Sequence, residues 1–114
     1  MRLKSPAYLW DICNAADYIQ AKIASITYEQ FSEDLDTQII VERKLEVIGE
    51  AGRRLFAHDP ETAALIPGLR GAIDMRNAIS HEYDDLDYVD IWSAITGPLN
   101  HLRDAAAQLL ESED

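Results

Sequence analysis

Apolar positions along this chain recur at steps of three and four, the spacing of one face of an α-helix. Tyr8, Ile12, Ala15, Ile19, Ile23 and Ile26 form the first stripe, and Asp11, Asp17 and Lys22 fall off it. Ser5-Pro6 supplies a start signal: a capping hydroxyl, then a proline at the first helical position, where a missing N–H costs nothing. The pattern predicts a helix over about residues 6–25. Thr27-Tyr28-Glu29-Gln30 has the form of a capping box and predicts a short turn through Phe31, with a link at 32–34. The next stripe is Val41, Leu45, Ile48, Gly52 and Leu55, which predicts a helix from about 36 to 57. Ile40, Val47 and Ala51 widen it. A surface that wide has to pack on two sides, and a neighbouring helix and another subunit are the candidates.

His58-Asp59-Pro60 ends that helix, and Asp59-Pro60-Glu61 can cap one further turn through Leu65. Pro67-Gly68 is a clear break. A helix follows from about Leu69 to Ser80 or Tyr83, with Leu69, Ala72 and Ile73 inward. Residues 84–87 are an acidic turn, one of whose aspartates should cap the last helix. Tyr88, Ile91, Trp92, Ile95, Leu99, Leu102, Ala106 and Leu109 keep one phase across Gly97-Pro98. That predicts one helix to about 111, kinked where Pro98 removes a backbone bond. The whole reads as an all-α, up-and-down bundle of four to five helices, one domain over residues 1–114.

Composition narrows the function. Cys13 is the single cysteine, which excludes an internal disulfide framework and a Cys-based zinc site; beside Ile12 it reads as a small buried hydrophobe. His58, His81 and His101 lack a metal-ligand spacing with acids, so neither a metal nor another cofactor is expected, and His58 and His101 read as surface or helix-end residues. Asp11, Asn14 and Asp17 interrupt any apolar run near the N-terminus, so no signal peptide or membrane span is expected and the cytoplasm is the default compartment. The net charge of −11 argues against a protein that grips nucleic acid through a broad basic surface. The charge is uneven, however. Residues 41–81 carry six basic and six acidic side chains, whereas 82–114 carry nine acids against Arg103 alone. An acidic face of this kind is ordinarily just solvated, but it could also repel RNA or dock a basic partner. Gly49 and Gly52 each cost a helix about 1 kcal/mol against alanine, and close approach of another backbone is the expected return. Arg43, Lys44, Arg53 and Arg54 lie off the stripe, either paired with Glu42, Glu46 and Glu50 or forming an RNA-contacting rim.

The densest chemistry is in Met75-Arg76-Asn77-Ala78-Ile79-Ser80-His81-Glu82-Tyr83. A guanidinium can fix phosphate, an imidazole moves protons near neutral pH, and a phenol can be modified. Arg76 and His81, five apart, would sit about 140° apart on a continuous helix. Convergence therefore needs a helix end near residue 80 or a second subunit. Structural roles stay open on spacing alone: an arginine paired with an acid, a histidine at a helix C-terminus, a tyrosine at an interface.

Arg76 to Tyr83 matches the pattern Arg-x4-His-x-Tyr, with polar Asn77 after the arginine. It resembles the HEPN superfamily, and within it the HepT-like proteins of minimal nucleotidyltransferase toxin–antitoxin pairs. Glu42 to Ala51 looks like that family's long second helix, Ile66-Pro67 like its approach to the motif, and Tyr88 to Leu102 like its final helix. The resemblance implies a homodimeric helical bundle that cuts RNA without a metal, as the toxin of a type VII-like pair. By that resemblance Arg76 and His81 would be catalytic: Arg76 would hold the scissile phosphate, and His81 would serve as general base or acid. Asn77 would position backbone or substrate, and Tyr83 would be the tyrosine that a cognate nucleotidyltransferase antitoxin adenylylates. Glu82, Asp84 and Asp85 crowd the motif with carboxylates, which oppose phosphate binding. A rival reading is a non-catalytic helical subunit that binds a nucleotidyltransferase. A third is a plain structural dimer.

Overall fold

The computed structural model describes residues 1–81 and 87–112. Every regular element among them is a helix: α1 (Ser5–Ile23), α2 (Tyr28–Glu33), α3 (Leu35–His58), α4 (Pro60–Ala63), α5 (Leu69–Ser80), α6 (Tyr88–Thr96) and α7 (Pro98–Glu111). Setting aside the short α2 and α4, five longer helices make the bundle. The all-α architecture is the one that the periodicity predicts.

Single residues turn most of the corners. Asp34 closes α2 by donating its N–H to the Phe31 carbonyl, and opens α3 by accepting the N–H and hydroxyl of Thr37. Asp59 does the same between α3 and α4: its N–H donates to Leu55 O, and its carboxylate accepts the Thr62 N–H and hydroxyl. Thr27 forms the expected capping box with Gln30, and of the acidic turn it is Asp87 that caps α6, accepting from Val89 and Asp90. Gly97, with φ −136° and ψ −84°, serves as C-cap of α6 and N-cap of α7. The interruption at Gly97-Pro98 is thus a full break between two helices of one apolar phase. Ser5 differs from its expected role. It is the first residue of α1 and not its cap, and its hydroxyl donates to Asp59 at 2.7 Å. The hydroxyl is oriented as a donor to a buried carboxylate 54 residues away and, among the described residues, accepts no N–H of the helix start.

Cross-helix contacts set the order of the bundle. Gln20 meets Asn100 and Asp17 meets Arg103, so α1 and α7 run antiparallel. Tyr8 stacks on His58 while Tyr18 takes the Lys44 ammonium over its ring at 4.5 Å, so α1 and α3 are antiparallel too. α3 in turn packs against α5, giving the spatial sequence α7–α1–α3–α5. The core lies between these helices, around Leu9, Ile12, Ile19, Val41, Ile48 and Leu55, and continues to Ile91 and Ile95 of α6. Phe31 anchors α2 there, its ring 5.2 Å from Trp92 and 5.9 Å from Tyr88. Cys13 is buried, and His58 and His101 are exposed, each as the sequence suggests. On α3, Ala51 turns inward while Leu35, Ile39 and Val47 stay exposed along its outer side. Among the described residues no helix is long and apolar enough to cross a membrane.

Candidate active site

α5 owes its seat to three glycines. Gly68 takes φ +80° and turns the chain into the helix. Gly49 then lets α5 lie against the backbone of α3. A Cβ on Gly49 would stand 2.2 Å from Cβ of Arg76, 2.7 Å from its Cγ and 3.1 Å from the Ala72 carbonyl oxygen. Gly52 makes the same allowance nearly a turn further along α3, opposite Leu69 and Ile73. The close approach expected of the two glycines is thus made by α5 of the same chain, and its tightest point is the stem of the arginine singled out in the sequence.

Arg76 emerges from this contact half-buried, at the wall of an open cleft of about 340 Å³. Tyr8 and Asp11 of α1 form one side of the cleft; Arg43, Glu46, Glu50 and Arg54 of α3 line its floor. Arg76 Nη1 donates to Asn77 Oδ1 at 3.0 Å, which fixes the guanidinium plane from the adjacent position. Its Nη2 lies 3.5 Å from Glu50 Oε1.

Glu50 belongs to a denser network. Arg53 grips it with two bonds, Nε to Oε1 at 3.0 Å and Nη2 to Oε2 at 2.8 Å. Arg54 Nε adds a third, to Oε2 at 3.0 Å. The bonds from Arg53 and then Arg54 hold the Glu50 carboxyl down at about 2, far on the ionised side at neutral pH. Of the pairings that the sequence offers, those to Glu50 form. Lys44 goes instead to the Tyr18 ring, and Arg43 faces the cleft.

α5 ends at Ser80, and His81 leaves the helical track with φ −98° and ψ 107°. The His81 N–H still bonds the Asn77 and Ala78 carbonyls at 3.2 Å, which holds this residue at the C-terminal end of the helix. A helix end near residue 80 is one of the two conditions under which Arg76 and His81 escape opposed faces. Tyr83, together with Glu82, Asp84 and Asp85, lies outside the described residues. Among the described residues no three His, Cys, Asp or Glu side chains gather in a way that could hold a metal ion.

The Glu50–Arg53–Arg54 cluster, an i, i+3, i+4 pattern, is among the pairings that the sequence offered. Nothing in the sequence pointed to Tyr8 and Asp11, which enter only through the register of α1 on α3.

The family described as Ribonuclease HepT-like matches residues 12–109. A protein of Caldanaerobacter subterraneus subsp. tengcongensis, provisionally named an RNase, is 29% identical over 97% of this chain and 99% of its own length. One of Thermococcus cleftensis, provisionally named ribonuclease HepT, is 30% identical over 90% of this chain and 93% of its own. One of Methanocaldococcus jannaschii, provisionally named an RNase, is 33% identical over 75% and 70%. No solved structure matches the chain significantly.

Proposed function

We propose, from the premise that this chain belongs to the HepT-like ribonuclease family, that it is a metal-independent endoribonuclease and the toxin subunit of a type VII-like toxin–antitoxin pair. The observation that carries this reading is Arg76 at the wall of an open cleft, with His81 just past the end of the same helix. Arg76 holds the scissile phosphate and balances the charge that builds on its oxygens. His81 takes the proton of the ribose 2′-OH, or delivers one to the departing 5′-oxygen. The 2′-oxygen bonds to phosphorus as the bond to the 5′-oxygen breaks, leaving a 2′,3′-cyclic phosphate and a 5′-hydroxyl. Asn77 orients Arg76 through its 3.0 Å bond.

The working unit in this reading is a homodimer in the cytoplasm. Leu35, Ile39, Arg43 and Val47, four residues apart along α3, run as one line toward the cleft, and the three apolar members are exposed. A second copy covering that line would bring two clefts together. The cognate partner is a nucleotidyltransferase antitoxin that adenylylates Tyr83, adding charge and bulk two residues from His81 in the chain.

Cleavage of total RNA in EDTA, beside Arg76→Ala and His81→Ala, tests the reading. Cleavage that survives EDTA and is lost in both variants is expected. RNA left whole by protein of unmodified mass overturns it, and a mass increased by AMP identifies a silenced toxin. A second reading, a non-cutting subunit that binds the nucleotidyltransferase, is favoured by the acids Asp11, Glu46 and Glu50, which balance Arg43, Arg54 and Arg76 in the cleft.

A further inference from the structure

Arg43, Arg54 and Arg76 line the cleft, more arginine than a single phosphate contact uses, and Arg53 joins Arg54 on Glu50. A carboxylate can accept about four hydrogen bonds. Glu50 receives three, at 2.8–3.0 Å, all from Arg53 and Arg54. Arg76, whose Nη2 is 3.5 Å from the same carboxylate, has the longest contact of the three guanidiniums. All four side chains are at least partly exposed, so each can change partner without unfolding the helix.

Were Arg53 and Arg54 absent, Glu50 would keep its charge, and Arg76 would be the remaining guanidinium with a contact to it among those described. A bare carboxylate and a guanidinium at that separation close into a paired, two-bond contact. An incoming phosphate would then have to displace a carboxylate from the arginine it needs.

We propose that Arg53 and Arg54 are positioning residues for Arg76: by occupying the oxygens of Glu50 they keep that carboxylate from clamping the Arg76 guanidinium, which stays available to an RNA phosphate. The inference rests on the reading of Arg76 as the phosphate-holding residue. It assigns Arg53 and Arg54 no contact with RNA.

The test compares wild type, R53Q/R54Q, E50Q/R53Q/R54Q and E46Q/R53Q/R54Q. The last two restore the same single charge, but Glu46 makes no bond to either arginine among those described. The double variant should raise KM for RNA about tenfold, the scale of one charge-assisted hydrogen bond, with a smaller fall in kcat. E50Q should bring KM back, and E46Q should not. Full activity of the double variant overturns the proposal. So does a defect that E50Q fails to repair, which would mean direct contact with RNA, or one that E46Q repairs equally, which would mean net charge alone. A second readout needs no catalysis: the Arg76 Nε–Hε resonance, titrated with inorganic phosphate. It should shift in wild type, respond weakly in the double variant and recover with E50Q. An RNA-inactive wild type that keeps this pattern removes the ribonuclease reading and leaves the inference standing. An Arg76 resonance indifferent to phosphate in wild type ends the inference.

Discussion

Gly49→Ala should separate stability from activity, because the added methyl lands on Arg76. The new Cβ would lie 2.2 Å from the Arg76 Cβ, whereas carbon atoms rest about 3.5–4.0 Å apart. The arginine stem must therefore retreat by about 1.5 Å. The Arg76 Cβ is fixed to its own backbone and no side-chain rotation moves it, so α5 itself has to shift, and the Ala72 carbonyl at 3.1 Å with it. Overpacking of this kind costs about 1–3 kcal/mol, while alanine returns about 1 kcal/mol of helix propensity. The net loss is about 0–2 kcal/mol, a fall in Tm of up to roughly 8 °C for a domain of this size. Displacing a phosphate-holding group by 1 Å or more costs about a hundredfold in rate. Gly71→Ala is the matched control, since nothing lies within 4 Å of the position its Cβ would take. It should gain about 0.5–1 kcal/mol and leave cleavage unchanged. Thermal melts and single-turnover RNA cleavage on both variants read out the two axes. A Gly49→Ala protein that is more stable and fully active would refute the packing argument. One that is destabilised yet fully active would refute the link between α5 and the chemistry.

Three further outcomes follow from the same contacts. Phe31→Ala should destabilise the fold by about 3–5 kcal/mol, because this fully buried ring holds α2 to Tyr88 and Trp92 of α6; a Tm close to wild type by circular dichroism would contradict that packing. The Asp59 carboxyl is held well below the usual carboxylate range by the Arg2 N–H and by Thr62 and Ser5, and Glu50 is held at about 2, so both folded-state values are depressed. Their stabilisation is complete above about pH 4.5 and is lost as the pH falls toward 2 and below; Tm measured against pH should drop on acidification, and Asp59→Asn should start lower at pH 7 and drop less steeply. Burial pushes the Cys13 thiol up, with Arg103 opposing and Asp17 adding to it. It should react with a thiol reagent at pH 8 on the order of 100-fold more slowly in the native protein than in denaturant.

The helices were legible because their signals are local. The stripes of α1 and α3, the capping box at Thr27, the break at Pro67-Gly68 and the Asp87 cap are each written within a few residues. Ser5 was misassigned because its hydroxyl answers to Asp59, a partner no window of sequence contains. The full break at Gly97 was read as a kink because apolar phase survives a break that turns the backbone without rotating the pattern. The same division runs through the candidate site. Arg76, Asn77 and His81 stand out by residue type and spacing. That the stem of Arg76 rests on Gly49, and that Tyr8 and Asp11 share its cleft, depend on how helices far apart in the chain register on one another.

The corners made by single residues have an evolutionary reach. Asp34, Asp59 and Gly97 each end one helix and begin the next, so an inserted residue there would rotate everything downstream out of phase. The slack lies elsewhere: among the described residues, α5 is entered through a connection of several residues, 64–68. Drift in loop length can therefore slide or tilt this one helix while the other interfaces keep their alignment. A change of length at that entry would turn the helix that carries Arg76.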